Sequence, residues 1–282
     1  MDAVLLAVSS AALFGAMTVA LRPALARGTS AELGALYTVL PALGVAVVAA
    51  VVRSDWDLGG VWLFALCGLL GPGLSQTLFT LGVRDAGPAR TSVTVGTAPL
   101  FSVAIALVFF GEPVVAGVIA GAVLIVGGGL LLAGERERPK HFKRIGIAFA
   151  LAATVVFATR DNLARSIAVD TDVSPQLATL AILFAGAFVT AIWVTLTRQR
   201  PMLGPLPSFL PAGILFGLSY VCLFEAFYRG PVTVVSPLVA TESLFGVGLS
   251  ALFFHRVEVI GMRLVAGAAL IVAGGVLIGL FR

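Results

Sequence analysis

Ten apolar runs of membrane-spanning length account for nearly the whole chain. They fall at 3–24, 31–52, 59–82, 87–110, 113–133, 145–165, 175–196, 206–228, 231–254 and 259–280. A helix needs about 20 mostly apolar residues to cross a bilayer, and the gaps between the runs are short and rich in Gly, Pro and charge. Charged residues make up 11% of the 282, against about 25% in a soluble domain. A chain with a mean hydropathy of +1.08 could not cover its surface in water, so the expected fold is an all-α polytopic membrane protein of ten transmembrane helices. No stretch is left over for a soluble domain. The net charge of +4 sits in the short gaps, where topology signals belong, and calls for no nucleic-acid partner.

The chain opens MDAVLLAVSSAALFG, with Asp2 and no basic residue before the apolar run. It reads as a first membrane helix rather than a secretory signal. Cys67 and Cys222 lie inside apolar runs, and His141 and His255 in or near gaps. That pattern suggests no disulfide framework, no metal site and no cofactor.

The chain says much of this twice. LSQTLF (74–79) stands against LSYVCLF (218–224), Gly87-Pro88 against Gly230-Pro231, and Phe109-Phe110 against Phe253-Phe254. Glu112 stands against Glu258, GAVLIVGGG (121–129) against GAALIVAGG (267–275), and Arg22 against Arg165. The offset drifts only from 143 to 146. The polar stretch GERERPKHFKR (134–144) divides two halves, 1–133 and 145–282, of five runs each. Five is odd, so the second copy enters the membrane upside down. This is the inverted repeat of many secondary transporters, whose halves rock about a central site.

Of the 18 Lys and Arg, 13 fall on the side of the odd-numbered gaps and 5 on the other. The positive-inside rule then puts both termini outside.

The segment TAPLFSVAIALVFFGEPVVAGVIAGAVLIVGGGLLL (97–132) and its counterpart VSPLVATESLFGVGLSALFF with the Gly-rich tail resemble the EamA family of the drug/metabolite transporter superfamily. LFG (13–15) resembles that family's first helix. The resemblance covers nearly the whole chain. It implies a polytopic carrier of small metabolites, with a cavity between the first, third, fourth, sixth, eighth and ninth runs and both termini in the cytoplasm. Here Glu242-Ser243 replaces the Glu-Pro common in the family's second half. The residue count and the resemblance disagree on orientation, which stays open.

Polar groups at membrane depth are costly and need a reason. Glu242 has no charged residue within ten positions on either side. It is either a proton-carrying site or a protonated structural carboxyl; the resemblance also puts an acid there. Arg160 and Asp161 lie about a turn inside the sixth run. Arg160 either points into a cavity to meet Glu242 or a substrate carboxylate, or snorkels beside Asp161. Glu225 precedes Arg229 by four residues, the spacing of an ion pair on one helix face, and is otherwise a second acid. Gln76 and Tyr220 are equivalent in the two halves, and Gly71-Pro72-Gly73 should break the helix just before Gln76. With Ser75 and Ser219 they are cavity candidates or inter-helix hydrogen bonders. Thr91, Thr94 and Thr97 form one polar face of the fourth run, and Thr233, Ser236 and Ser243 roughly one of the ninth. These faces line a pathway or pack against neighbours. The Gly runs 117–129 and 261–275 read as packing surfaces, within the fold or in a dimer.

These features point to a secondary transporter, of prokaryotic plasma membrane, moving a small polar or amphipathic metabolite such as an amino acid by alternating access. Protons are a candidate coupling ion. Drug efflux and nucleotide-sugar exchange are runners-up on the same fold, and a non-transporting receptor is a third. An intramembrane enzyme would need a catalytic set at membrane depth, for which only Glu225 with Glu242 offers a pair.

Overall fold

The computed structural model describes residues 2–53, 56–109, 115–133, 142–201, 204–230, 232–254 and 260–281. Glu112, Glu258, His141, His255 and most of the basic linker lie outside these. The described residues are helical, with no strand among them. In order they form α1 (Ala3–Leu25), α2 (Ala31–Arg53), α3 (Val61–Gly68), a π-turn (Leu69–Leu74), α4 (Ser75–Ala86), α5 (Pro88–Val95), α6 (Ala98–Phe109), α7 (Ala116–Ala133), α8 (Arg144–Val169), α9 (Pro175–Leu196), α10 (Leu206–Arg229), α11 (Val232–Val239), α12 (Glu242–Phe254) and α13 (Met262–Phe281). Among the described residues eight segments are long and apolar enough to cross a membrane, with Ala116–Leu132 a shorter apolar helix. The chain is a polytopic membrane protein.

Among the described residues, three of the ten runs are not single α-helices. The third is interrupted at Gly71, whose φ of −139° and ψ of 120° leave the helical region. Close beside it, a Cβ on Gly186 of α9 would meet Pro72 Cγ at 2.3 Å, so that approach needs glycine. The fourth and ninth runs, expected as continuous spans, each break after about two turns, at Gly96-Thr97 and at Ala240-Thr241. The breaks are equivalent: VGTAPLF (95–101) lies 144 positions before VATESLF (239–245). In both, the backbone tightens to an i−3 hydrogen bond, Thr97 to Thr94 and Thr241 to Leu238. In both, the threonine hydroxyl donates to that same carbonyl. At the first break Pro99 has no N–H to offer the Val95 carbonyl, so α5 ends there. The hydroxyl bond alone does not break a helix, since Thr190 makes the same i−3 bond inside α9.

Equivalent helices of the two halves run antiparallel. A Cβ on Gly121 would meet the Gly274 carbonyl at 2.6 Å, and one on Gly128 the Gly267 carbonyl at 2.6 Å. Gly267 and Gly274 are themselves the counterparts of Gly121 and Gly128, at an offset of 146. The contact therefore maps onto itself when the halves are exchanged, with direction reversed. The Gly runs are thus a packing seam inside one chain, where missing side chains let α7 and α13 approach closely.

The same exchange relates other contacts. Gly230, after α10, abuts Ala3 of α1; Gly146 of α8 abuts Asp85 and Ala86 of α4. Arg22 Nη1 donates to the Arg84 carbonyl at 3.2 Å, and Arg165 Nη1 to the Phe227 carbonyl. Each arginine lies toward the end of the first helix of its half and donates to a last-turn carbonyl of its third run, an arrangement that also suits the negative end of the helix dipole. Phe14 and Phe157, equivalent residues, meet edge to face with centroids 6.0 Å apart. Residues that touch their own counterparts mark the pseudo-two-fold axis. The main core gathers around this pair, with Phe79 and Phe216 also on Phe14.

Candidate functional site

A small cavity of about 40 Å³ lies directly on that axis. Phe14 and Phe157 line it, with Ser10 of α1, Val95 and Ala98 on either side of the α5–α6 break, and Ser236 and Glu242 flanking the α11–α12 break. Arg160 and Asp161 of α8 and Ser219 and Tyr220 of α10 complete its polar wall. Ligand pockets usually exceed about 300 Å³, so this one is closed down.

Arg160 is 2% exposed and Glu242 3%. Burying charge so thoroughly is expensive unless partners are provided. Arg160 has Asp161, with Nε 2.9 Å from Oδ1. Neighbours in sequence do not face each other on a helix, so the N–H is not aligned on the oxygen and neither atom is hydrogen-bonded. The guanidinium also lies 4.9 Å from the Tyr220 ring centroid and 5.6 Å from that of Phe157. It abuts the π-turn too, where a Cβ on Gly71 would meet Arg160 Nε at 3.5 Å. The break in the third run thus makes room for the arginine. Arg160 Nη1, Tyr220 OH and Glu242 Oε1 have no hydrogen-bond partner among the described residues.

Glu242 occupies the first position of α12. Its placement follows from the helix break, which turns that residue toward the axis. Ser10 and Ser219 link α1 to α10, each hydroxyl donating to the other's carbonyl at 2.9 and 3.0 Å.

The remaining predicted residues are elsewhere. Gln76 is buried at the start of α4 with neither amide atom paired among the described residues, beside Ser75, whose hydroxyl lies 3.0 Å from the Cβ position of Gly71. Neither lines the axial cavity. Glu225 accepts from Gln176 Nε2 and Arg229 Nη2, both at 2.5 Å. Thr94 and Thr97 line a second, larger cavity of about 490 Å³. Their hydroxyls donate to the carbonyls of Arg90 and Thr94. Ser10 was not singled out in the sequence, although VSSAALFG held the signal in two adjacent hydroxyls of an apolar run.

The polar wall is one-sided. Arg160, Asp161, Tyr220 and Glu242 all belong to the second half; their counterparts are Met17, Thr18, Gln76 and Ala98. One half carries the charge, and the other closes over it with apolar and hydroxyl groups.

The model of the EamA-like transporter family matches residues 1–134 and again 144–280. The chain belongs to that family. The probable terminal-alkyne amino-acid exporter of Streptantibioticus cattleyicolor is 32% identical to it over 108 residues, a match covering 36% of this chain and 36% of that one. A crystal structure 19% identical superposes with a TM-score of 0.70, covering 98% of this chain and 95% of the other. That likeness concerns the fold.

Proposed function

We propose that this EamA-family protein is a secondary transporter that exports a small zwitterionic or amphipathic metabolite, with amino acids as the substrate class, across a prokaryotic plasma membrane. The observation that carries the reading is the axial pocket, where buried charged groups with unpaired atoms meet at the interface of two inverted repeats. The Arg160 fork suits a carboxylate, Asp161 and Glu242 suit an ammonium, and Phe14, Phe157 and Leu223 suit an apolar side chain. The residues 1–133 and 145–282 act as the two rocking halves about the linker 134–144. Only a rearrangement that enlarges the pocket admits such a substrate, as alternating access requires. Glu242 is the candidate proton-coupling group, since intramembrane acids commonly serve as relays. The partial match to a probable amino-acid exporter supports the substrate class.

The test is counterflow in proteoliposomes loaded with unlabelled amino acids, with labelled amino acids outside. Accumulation of label with wild type, lost in Arg160→Met, supports the reading. No accumulation of any amino acid by monodisperse wild-type protein refutes this substrate class.

A further inference from the structure

We infer that the larger cavity is the vestibule by which a carboxylate-bearing amphipathic substrate reaches the axial pocket, and that the α5–α6 break is the gate between them. The inference rests on the transport reading above.

The two cavities lie on opposite sides of the five-residue stretch 94–98. Val95 and Ala98 line the axial pocket, and Thr94 and Thr97 the larger cavity. The partition is therefore the break itself, the place where the helical ladder is weakest. Gly96 is wedged there: a Cβ would meet Ser243 Cβ at 2.9 Å and Ile271 Cγ2 at 3.2 Å. Ile271 also lines the vestibule and Ser243 follows Glu242, so one thin element touches both compartments.

The vestibule suits an amphipathic traveller. Val126, Leu130, Leu132, Ile147 and Leu151 form its body, and Arg90 and Arg144 lie in the same lining. Leu130 is 68% exposed, which opens the cavity toward the acyl chains. A carboxylate at exposed Arg144 and an apolar body along the leucines match this distribution.

The second half has the equivalent parts in a different arrangement. Gly129 lines the vestibule, and nothing lies within 4 Å of where its Cβ would be. Its counterpart Gly275 is packed, with Pro99, Ala240 and Pro237 at 3.5 to 3.8 Å from the Cβ position. The joints that carry the broken helices differ as well. Gly87 has φ 89° and ψ 161°, whereas Gly230 has φ −150° and ψ 156°. The first conformation is essentially open to glycine alone. Two copies of one device thus stand in two states, one with its cleft open and one with it shut. Exchange of the two joint conformations would exchange the two arrangements, giving access first on one face and then on the other.

Filling the vestibule tests this. Gly129→Phe places a ring in the cavity. Gly127→Phe makes the same change on the same helix, at a site outside the cavity that is equally free of neighbours. We expect proteoliposome transport to fall at least tenfold in Gly129→Phe and to change less than twofold in Gly127→Phe. Equal effects, or wild-type flux in Gly129→Phe, overturn the vestibule while leaving the transport reading in place. No flux in the wild type overturns both. If Gly129→Phe does not give monodisperse protein, Gly129→Cys with Cys67→Ala and Cys222→Ala is reconstituted and then alkylated with a bulky maleimide. The same tenfold loss is expected, and undiminished flux after complete labelling contradicts the proposal.

Discussion

Arg160 stacks on Tyr220, its Cζ 4.9 Å from the ring centroid. In a site this buried a cation–π contact is worth about 2 kcal/mol, and it holds the guanidinium where the axial cavity can use it. Tyr220→Leu removes the ring and should lower amino-acid flux about tenfold or more. Tyr220→Phe keeps the ring and loses only an unpaired hydroxyl, so flux should stay within about threefold of wild type. Initial rates in proteoliposomes check both.

Arg160 and Asp161 form a buried pair, and removing one partner strands the other, at a cost of about 3–5 kcal/mol. Arg160→Met and Asp161→Asn should each lower the melting temperature in detergent. The double variant should recover most of that loss because no charge is left stranded. It should not recover transport. A double variant less stable than either single would mean that the two charges do not compensate each other.

The seam between α7 and α13 makes a sharp contrast among neighbouring glycines. Gly121→Ala and Gly128→Ala each push a Cβ to 2.6 Å from a backbone carbonyl, an overpacking expected to cost about 1–3 kcal/mol. Gly127→Ala enters open space and gains up to about 1 kcal/mol of helix propensity. Thermal unfolding of the three variants should separate them in that order.

Much of this architecture was legible because duplication shows in a sequence whatever the fold. The pairs Arg22 with Arg165 and Gly121 with Gly267 were visible as equivalences before their contacts were known. The interruption at Gly71-Pro72-Gly73 was readable because those residues disrupt a helix by themselves. The breaks at Gly96-Thr97 and Ala240-Thr241 escaped notice because both sit within long apolar runs. At the first, Pro99 denies the Val95 carbonyl its helical N–H, a signal the sequence does carry. At the second no proline stands in the matching place, and the turn tightened from Thr241 to Leu238 is not written in the local residues. Thr94 and Thr97 share a helix face with Thr91 by spacing. Which of two cavities that face meets is set by α7 and α8 packing against it, and no local pattern carries that. Ser236 and Glu242 come to one pocket from either side of a break for the same tertiary reason.

Gly87 holds a conformation that costs another residue of order 1–3 kcal/mol. Gly87→Ala should therefore favour the arrangement in which this joint resembles Gly230. With Cys67→Ala and Cys222→Ala as background, Gly129→Cys should react with a small thiol reagent several-fold more slowly when Gly87→Ala is added. An unchanged rate would argue against the joint as the hinge.

If the axial pocket carries transport and Glu242 couples it to protons, flux must feel a pH gradient through that carboxyl. The direct measurement is flux of a labelled amino acid in proteoliposomes, with and without an imposed pH gradient, for wild type and Glu242→Gln. Gradient-stimulated flux is expected in the wild type and, in Glu242→Gln, a residual flux indifferent to the gradient. Equal stimulation in both proteins would contradict this coupling and leave Glu242 a structural group beside a path that others drive.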